Sequence, residues 1–197
     1  MKMTPEIDMK ERILETAFDL FSSKGYDKVS LNEIVKKAGG SKGGLFHHFD
    51  SKYDLARDAL MWFAQKHIEP EFMNAVSEDM EPREILLHFI DFMIAVMERD
   101  DGFTKFFWSI YEEAMNNQKD QKIWTEFLDQ YVVMVSSVYS RMGVNDPHMK
   151  SLILLSNLDG IALYYSMLKQ VGRNIDLGAL RAEFIRTYVD FDEEVKQ

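Results

Sequence analysis

The stretch SLNEIVKKAGGSKGGLFHHFDSKYDL, residues 30–55, predicts three short helices in succession. Ser30, followed three residues later by Glu33, forms a capping box, in which each side chain accepts a hydrogen bond from the other residue's backbone N–H. Ser41 and Ser51 are the expected N-caps of the second and third helices, because serine oxygens satisfy backbone N–H groups that lack an intrahelical partner. The segment therefore predicts three helix starts at fixed positions.

A glycine turn separates the first two of these helices. Gly39 and Gly40 accept the left-handed conformation in which helices commonly end. Leu45 and Phe49, spaced i and i+4, give the second helix a narrow buried edge and leave its opposite face accessible. A helix, a short turn and a second helix with an accessible outer face form the helix-turn-helix arrangement, whose second helix enters the DNA major groove.

The segment AGGSKGGLFHHFDSKYDL, residues 38–55, resembles the motif of the TetR (tetracycline repressor) family, usually some form of AGVSKGTLYHYFKSKEDL. The resemblance covers about the first quarter of the chain. It implies a dimeric transcriptional regulator that leaves its operator when a ligand binds. Two residues depart from the pattern: Gly40 replaces the usual valine, and Phe46 replaces a tyrosine whose hydroxyl in the family often contacts a phosphate.

Residues expected to contact double-stranded operator DNA surround the second helix. Two adjacent glycines cost a helix about 1 kcal/mol each relative to alanine, so close approach of the backbone to DNA is one reason for Gly43 and Gly44, and a frayed turn is the alternative. We expect His47 to face the groove, whereas His48 lies nearer the buried edge and either contacts a phosphate or packs. The predicted DNA-binding set is Ser30, Lys37, Ser41, Lys42, Gly43, Gly44, Phe46, His47, His48 and Lys52.

The charge of the chain is distributed unevenly. Its formal net charge is −10, but residues 1–52 contain 9 basic and 8 acidic residues, so this part carries +1 and the remainder −11. The nearly neutral segment 1–52 can still contact phosphates through its lysines, while the acidic remainder of the chain weakens non-specific DNA binding. We therefore expect modest affinity and a steep dependence on salt.

Several classes of function are disfavoured by what the chain lacks. It has no cysteine, which excludes disulfides, thiolate catalysis and cysteine-ligated zinc. Its five histidines form no metal-binding pattern, and there is neither a glycine-rich phosphate loop nor a nucleophile-elbow serine. We therefore predict no enzyme, no metal and no cofactor. The N-terminus lacks a signal-peptide core, and no uninterrupted apolar run approaches the roughly 18 residues of a membrane span, so a cytoplasmic protein is expected.

Apolar periodicity predicts an all-α protein, with a helix-turn-helix DNA-binding domain at residues 1–52 and a helical ligand-binding and dimerisation domain at 53–197. A helix that begins at Ser51 runs toward an interruption at Glu69 and Pro70, and it is expected to couple the two domains. The other predicted helices run from Thr4 and Pro5 to Gly25, over 83–99, over 103–115, from after the polar segment NNQKDQK to Met142, from Asp146 and Pro147 to Val171, and from Asp176 onward.

The remainder of the chain is rich in aromatic residues and methionine. This composition is typical of a plain core, but the 13 Met and three Trp of the whole chain also suit the adaptable walls of a pocket for a small lipophilic ligand, as the family resemblance implies. A carboxylate among these aromatics would instead select a cation. The predicted ligand-binding residues are Phe89, Met93, Phe107, Trp108, Tyr111, Glu112, Phe127, Tyr131, Asn157 and Tyr165.

The helix ending near Val171 has two apolar stripes, of which one can face its own bundle while the other needs a second partner. The resemblance implies that the last two long helices form a homodimer contact, and the pattern agrees. The predicted interface consists of Leu154, Leu158, Ile161, Tyr165, Leu180, Phe184 and Tyr188. The favoured function is a ligand-responsive transcriptional regulator, a repressor on a (pseudo)palindromic operator. The alternative is an architectural or interaction module without a ligand, and a helical enzyme comes third.

Overall fold

The structure, a computed structural model, describes residues 8–77, 79–99, 102–116 and 118–191, apart from the side chains of residues 112, 118 and 119. These residues form ten α-helices and no strand, which confirms the predicted all-α class. The helices are α1 (Met9–Lys24), α2 (Leu31–Ala38), α3 (Lys42–His48), α4 (Lys52–Phe63), α5 (Glu69–Ala75), α6 (Pro82–Glu98), α7 (Phe103–Met115), α8 (Gln118–Arg141), α9 (Pro147–Gln170) and α10 (Leu177–Tyr188).

The three predicted helix starts are confirmed. The side-chain oxygens of Ser30, Ser41 and Ser51 each accept a hydrogen bond from the backbone N–H three residues later, at 3.2, 3.0 and 3.0 Å. Gly39, with φ 71°, ends α2 in the left-handed conformation. The predicted start at Thr4 and Pro5 lies outside the described residues.

Two compact units divide the chain, one made of residues 1–70 and 101–116, the other of residues 71–100 and 117–197. The predicted boundary at residue 52 is a functional division and stays a prediction. Within the first unit, α7 packs on α1, since the buried ring of Phe106 lies 5.8 Å from the ring of Phe18 and 5.3 Å from that of Phe21, between centroids. The helix α7 is thus part of the same unit as α1–α4, although it follows them after a long stretch of intervening chain.

The interruption expected at Glu69 and Pro70 is absent, because the chain remains helical there. After α4 it forms a π-helical turn over Ala64–Ile68, and α5 follows directly. Pro70 has no N–H, so the helix loses a hydrogen bond at this point. The wider π turn immediately before it keeps the backbone helical in spite of that loss.

The second unit contains a core to which α6, α8, α9 and α10 contribute. As predicted, Asp146 caps α9, since its carboxylate accepts the Met149 N–H at 3.0 Å, and Asp176 caps α10 in the same way. The buried hydroxyl of Tyr139 donates to the backbone carbonyl of Tyr188 at 3.0 Å, which fixes the end of α10 against α8. The segment NNQKDQK, residues 116–122, was expected to form a turn before the long helix. Instead, α8 already begins within it, at Gln118.

The stripe of α9 assigned to a partner lies inside the chain's own core. Leu154 and Leu158 are fully buried within the second unit. Tyr165, Phe184 and Tyr188 are buried with them, while Ile161 and Leu180 are half-buried against the same cluster. The exposed face of α9 instead carries Met149, Ile153, Tyr164, Met167 and, just past its end, Val171.

Among the described helices, α9 is long and apolar enough to cross a membrane by length and composition alone. The same test is passed by core helices of soluble proteins, and α9 buries Leu154 and Leu158 against its neighbours.

We predict that Gly102→Ala destabilises the protein more than Gly143→Ala does. Both glycines have a positive φ, 78° and 77°, so an alanine costs about 1–2 kcal/mol at either position. At Gly102 the added Cβ would also lie 2.8 Å from the Cβ of Ser22 and 2.9 Å from its carbonyl oxygen, whereas no atom lies within 4 Å at Gly143. The clash should add about 1–3 kcal/mol to the loss of unfolding free energy, as measured by urea denaturation. Equal losses for the two variants would contradict the close contact of α7 with α1.

Candidate nucleic-acid interface

The short helix α3 has one buried edge and one accessible face. Leu45 and, at the C-cap, Phe49 are buried against the helices of the first unit, as their spacing predicted. Lys42, Gly43 and His47 are exposed. Phe46 is also 44% exposed, so the ring that replaces the family's tyrosine lies at the surface and is not packed in the core.

His48 was expected nearer the buried edge, and the structure shows it exposed instead. The rings of His47 and His48 lie 5.1 Å apart, between centroids, in the last turn of α3. An imidazole can donate a hydrogen bond to a phosphate or a base edge, and it carries two donors when protonated. The end of α3 therefore offers two neighbouring groups that can bind an anion.

The two glycines of α3 differ in their surroundings. A Cβ at Gly44 would lie 3.2 Å from Ser41 Oγ, the atom that accepts the Gly44 N–H as the helix cap. Glu33 and Asp54 carry side chains at the same position relative to the Ser30 and Ser51 caps, so the cap by itself does not require a glycine at 44. At Gly43, by contrast, an added Cβ meets no described atom within 4 Å. The described residues therefore impose no steric requirement for a glycine at position 43.

The lysines around α3 differ in their partners. Lys37 Nζ lies 3.7 Å from the carboxylate of Asp19, so a phosphate that binds this lysine competes with that carboxylate. Within the described part of the chain, Lys36, Lys42 and Lys52 make no ion pair. These three ammonium groups are available to the DNA backbone.

Acidic groups near α2 are already occupied. The ammonium of Lys24 donates a hydrogen bond to the Glu33 carboxylate at 2.5 Å, and this contact lowers the pKa of Glu33 below its ordinary value. The half of the predicted capping box in which Ser30 accepts the Glu33 N–H is present, at 3.2 Å. A salt-bridged carboxylate repels an approaching phosphate less than a free one would.

Lys52 sits in the first turn of α4, where the positive end of the helix dipole disfavours a cation. Its ammonium nitrogen lies 4.4 Å from the ring centroid of Tyr26 and 5.9 Å from that of Phe21, so two aromatic faces hold it. The start of α4 is further fixed by Arg57, which pairs with Asp54 at 2.9 Å. Backbone N–H groups and an ammonium group at one helix start suit a phosphate.

The residues predicted to bind a ligand are divided between the two units. In the first unit, Phe107, Trp108 and Tyr111 of α7 are half-buried and contact one another, with ring centroids 5.2 Å apart for Phe107–Trp108 and 5.5 Å for Trp108–Tyr111. The side chain of Glu112 lies outside the described residues. The remaining predicted residues, Phe89, Met93, Phe127, Tyr131, Asn157 and Tyr165, belong to the second unit.

Several of these second-unit residues are core residues in the structure. Phe89, Phe127 and Tyr165 are buried, and Phe89 and Tyr165 belong to the main apolar cluster. The Asn157 amide donates to the Tyr188 hydroxyl and to the carbonyl of Ile153, so its donor is used within the protein. Burial thus favours the plain-core alternative for these positions, while Met93 and Tyr131 are half-buried.

A surface cavity of about 420 Å³ opens elsewhere, at the connection between α8 and α9. Its wall includes Met142, Met149, Ile153, Phe191 and Lys150, none of which was predicted to bind a ligand. The aromatic density that guided the prediction is low in this connection, so composition gave no signal for it. Among the described residues, no group of three or more His, Asp or Glu side chains could hold a metal ion.

The sequence of the chain is similar to that of known regulators. Residues 13–59 match the family model described as "Bacterial regulatory proteins, tetR family". The chain is 38% identical over 89 residues to the uncharacterized HTH-type transcriptional regulator YxaF of Bacillus subtilis. This match covers 45% of this chain and 46% of YxaF. It is 48% identical over 47 residues to IcaR of Staphylococcus aureus, the HTH-type negative transcriptional regulator of the biofilm operon icaADBC. That match covers 24% of this chain and 25% of IcaR.

Solved structures share the fold over nearly the whole chain. A transcriptional regulator from Rhodococcus sp. Rha1 superposes with a TM-score of 0.75 at 20% identity, covering 92% of this chain and 96% of that one. A structure from Saccharomonospora viridis, described as a transcriptional regulator in complex with choline, has a TM-score of 0.73 at 22% identity and covers 90% and 95%. None of these named proteins is described as an enzyme, in agreement with the sequence-based prediction. Residues 13–59 thus carry a domain of the TetR family of bacterial regulatory proteins, and nearly the whole chain shares its fold with solved transcriptional regulators.

Proposed function

We propose that the protein is a cytoplasmic transcriptional repressor that binds a (pseudo)palindromic operator as a homodimer and leaves it when a small lipophilic molecule binds. The observation that carries the proposal is the accessible face of α3, where Gly43 has open space around it and Lys42 is exposed without an ion pair. The description of IcaR as a negative regulator supports repression over activation. This chain matches less than half of the length of either curated relative. The proposed activity therefore rests on the helix-turn-helix segment and on the shared fold.

In the proposed complex α3 lies in the major groove. Lys42 and His47 reach base edges or phosphates from its accessible face, and the bare backbone at Gly43 allows close approach. Lys52, at the start of α4, meets a phosphate next to the groove. Ser30 and Lys37 are proposed to contact the flanking backbone, with Lys37 exchanging Asp19 for a phosphate.

The proposed homodimer uses the exposed face of α9. Met149, Ile153, Tyr164 and Met167 recur along this face, and Tyr164 and Met167 are 64% and 58% exposed in the single chain. Gly160 lies between Ile153 and Tyr164 in the sequence, and no atom lies within 4 Å of a Cβ added there, so a second helix can approach closely. An apolar face of this kind is typical of an interface. A (pseudo)palindromic operator with half-sites about 34–36 Å apart requires two α3 helices, and hence two copies of the chain.

The ligand is proposed to contact the aromatic face of α7, made of Phe107, Trp108 and Tyr111. A lipophilic molecule suits three half-buried rings that contact one another. A quaternary ammonium ion is a second ligand class, because aromatic faces bind such cations and the Saccharomonospora viridis structure contains choline. Either ligand moves the binding equilibrium only if it prefers the DNA-free conformation.

The second candidate function is a DNA-binding architectural module without a ligand. Burial of Phe89, Phe127 and Tyr165 favours it, because side chains packed in the core leave less wall for a pocket. Selection of a DNA site from a random-sequence pool, followed by a gel shift with and without lipophilic compounds and choline, separates the two functions. A regulator gated by a ligand releases the selected DNA with one of them, an architectural module retains it with all, and failure to select any site contradicts both.

We predict opposite effects of Gly43→Ala on stability and on DNA binding. Alanine favours the helix by up to about 1 kcal/mol and meets no atom of the protein, so the free energy of unfolding should rise slightly. Binding of the selected DNA, measured by fluorescence anisotropy, should weaken by about 1–3 kcal/mol because the methyl group keeps the backbone away from the groove. Gly44→Ala is the matched control in the same helix, since position 44 is half-buried beside Ser41 Oγ, and it should weaken DNA binding less than Gly43→Ala does. Unchanged DNA affinity in Gly43→Ala would show that this backbone does not approach DNA.

We predict that Gly160→Arg converts the dimer into a folded monomer. The side chain has open space in the single chain, so helix content by circular dichroism should be retained, while a charge at the closest approach of two α9 helices separates them. Light scattering coupled to gel filtration gives the mass. Gln130→Arg, which adds the same charge at an exposed position of α8, should remain dimeric. A dimeric Gly160→Arg would place the interface elsewhere.

We predict that Trp108→Ala binds the selected DNA with wild-type affinity and is released at a concentration of ligand at least about tenfold higher, as expected when an aromatic contact worth more than 1 kcal/mol is lost. Trp108→Phe retains an aromatic ring and should be released close to the wild-type concentration. A gel shift with increasing ligand measures both. Normal release from Trp108→Ala would show that the aromatic face of α7 serves only as core.

A further inference from the structure

Phe46 places a large apolar ring on the accessible face of α3. The residue is 44% exposed, whereas Leu45 beside it is buried against the other helices of the first unit. Single exposed apolar side chains are common at protein surfaces and by themselves require no partner. Here the ring gains significance from its position, because it lies on the helix that is proposed to enter the major groove.

The side chain of Lys42 shows on which side of α3 this ring lies. Lys42 and Phe46 are four positions apart, so they share one face of the helix. The ammonium nitrogen of Lys42 lies 5.9 Å from the ring centroid of Phe46, which is within the range of a cation–π contact. The ring and the exposed lysine therefore form one surface, an apolar patch with a positive charge beside it.

The chemistry of the Phe46 ring limits what it can recognise in DNA. A phenylalanine has no hydroxyl, so it cannot make the phosphate contact that a tyrosine often makes at this position in the TetR family. The floor of the major groove presents hydrogen-bonding atoms at every base pair, and its apolar group is the 5-methyl group of thymine. Apolar side chains, phenylalanine among them, contact that methyl group. Cytosine presents an N–H donor and no methyl group, so such a contact selects thymine.

We propose that Phe46 is a specificity-determining residue, whose ring contacts the 5-methyl group of one thymine in each half-site of the operator. The inference rests on the proposed function, in which α3 lies in the major groove. It adds the identity of one base pair, an A·T pair whose thymine faces the ring. The Lys42 ammonium, held beside the same ring, then donates to the neighbouring base pair or to a phosphate.

Replacement of thymine by uracil tests this contact, because uracil pairs with adenine as thymine does and lacks only the 5-methyl group. The probe is the DNA site selected from a random-sequence pool, in which each thymine is replaced in turn, in both half-sites together. Fluorescence anisotropy measures the affinity of the wild-type protein for every duplex. At one thymine position the replacement should lower the affinity about fourfold for each half-site, the loss expected when one buried methyl group is removed.

Phe46→Ala removes the ring and should bind the unmodified site at least as weakly as the wild type binds the uracil duplex. Uracil at the sensitive position should then have no further effect, because the methyl group and the ring act only through each other. Alanine is a strong helix former, so helix content by circular dichroism should be retained. Val133→Ala, which shortens a 67% exposed apolar side chain of the second unit, is the matched control and should keep the wild-type response to uracil.

The possible outcomes separate this contact from the proposed function. A uracil effect of equal size in the wild type and in Phe46→Ala would assign the methyl contact to another residue and overturn the inference. A wild-type protein that binds every uracil duplex with unchanged affinity would also overturn it, and this result needs no variant. In both cases the selected DNA is still bound, so the proposed function stands. Failure to select any DNA site overturns the proposed function and the inference together.

Discussion

The packing of α7 on α1 is the contact from which the organisation of the first unit follows. Phe106 is buried against Phe18 and Phe21, and burial of a phenylalanine side chain contributes about 1.5–3 kcal/mol. Gly102, at the start of α7, sits so close to the backbone of Ser22 that any side chain would clash. The helix is thereby held at its start by backbone contact and along its length by aromatic rings. Because α7 packs against α1, its aromatic face belongs to the same unit as the helices that carry the candidate DNA-binding residues.

The candidate DNA-binding surface shows how an acidic protein can present a site for an anion. The charge outside residues 1–52 is −11, yet two acidic groups near the lysines of the head are paired, Glu33 with Lys24 and Asp19 with Lys37. Coulomb interactions between exposed charges are screened within about 10 Å at moderate salt. Local pairing around α3 therefore matters more for a phosphate than the net charge of the chain, although the distant acidity still opposes non-specific association.

The helix α9 serves two surfaces at once. Leu154 and Leu158 hold it in the core of the second unit, while Ile153 and Tyr164 remain exposed on another side. A helix that is apolar nearly all round costs little when both sides are covered and is a liability when one side meets water. The exposed side is the surface proposed for the homodimer, and the open space at Gly160 would allow a second helix to approach closely.

The sequence by itself determined the helix starts and the helix-turn-helix, because these depend on interactions between residues three or four positions apart. Serine and aspartate caps at Ser30, Ser41, Ser51, Asp146 and Asp176 were predicted from residue type alone, and all five accept the expected N–H. The periodic burial of α3 and the bounds of α7 followed from the same local pattern. Most of the fold class and the location of the candidate DNA-binding surface were thus predictable.

Only the tertiary structure decided which unit α7 joins, which stripe of α9 is covered, and whether there is open space around Gly43. Each depends on atoms that are distant in sequence or on exact separations, such as the contact of Gly102 with Ser22 or the empty space beside Gly43. Apolar periodicity identifies the faces of a helix but does not name their neighbours, which explains the reversed assignment of Leu154 and Leu158.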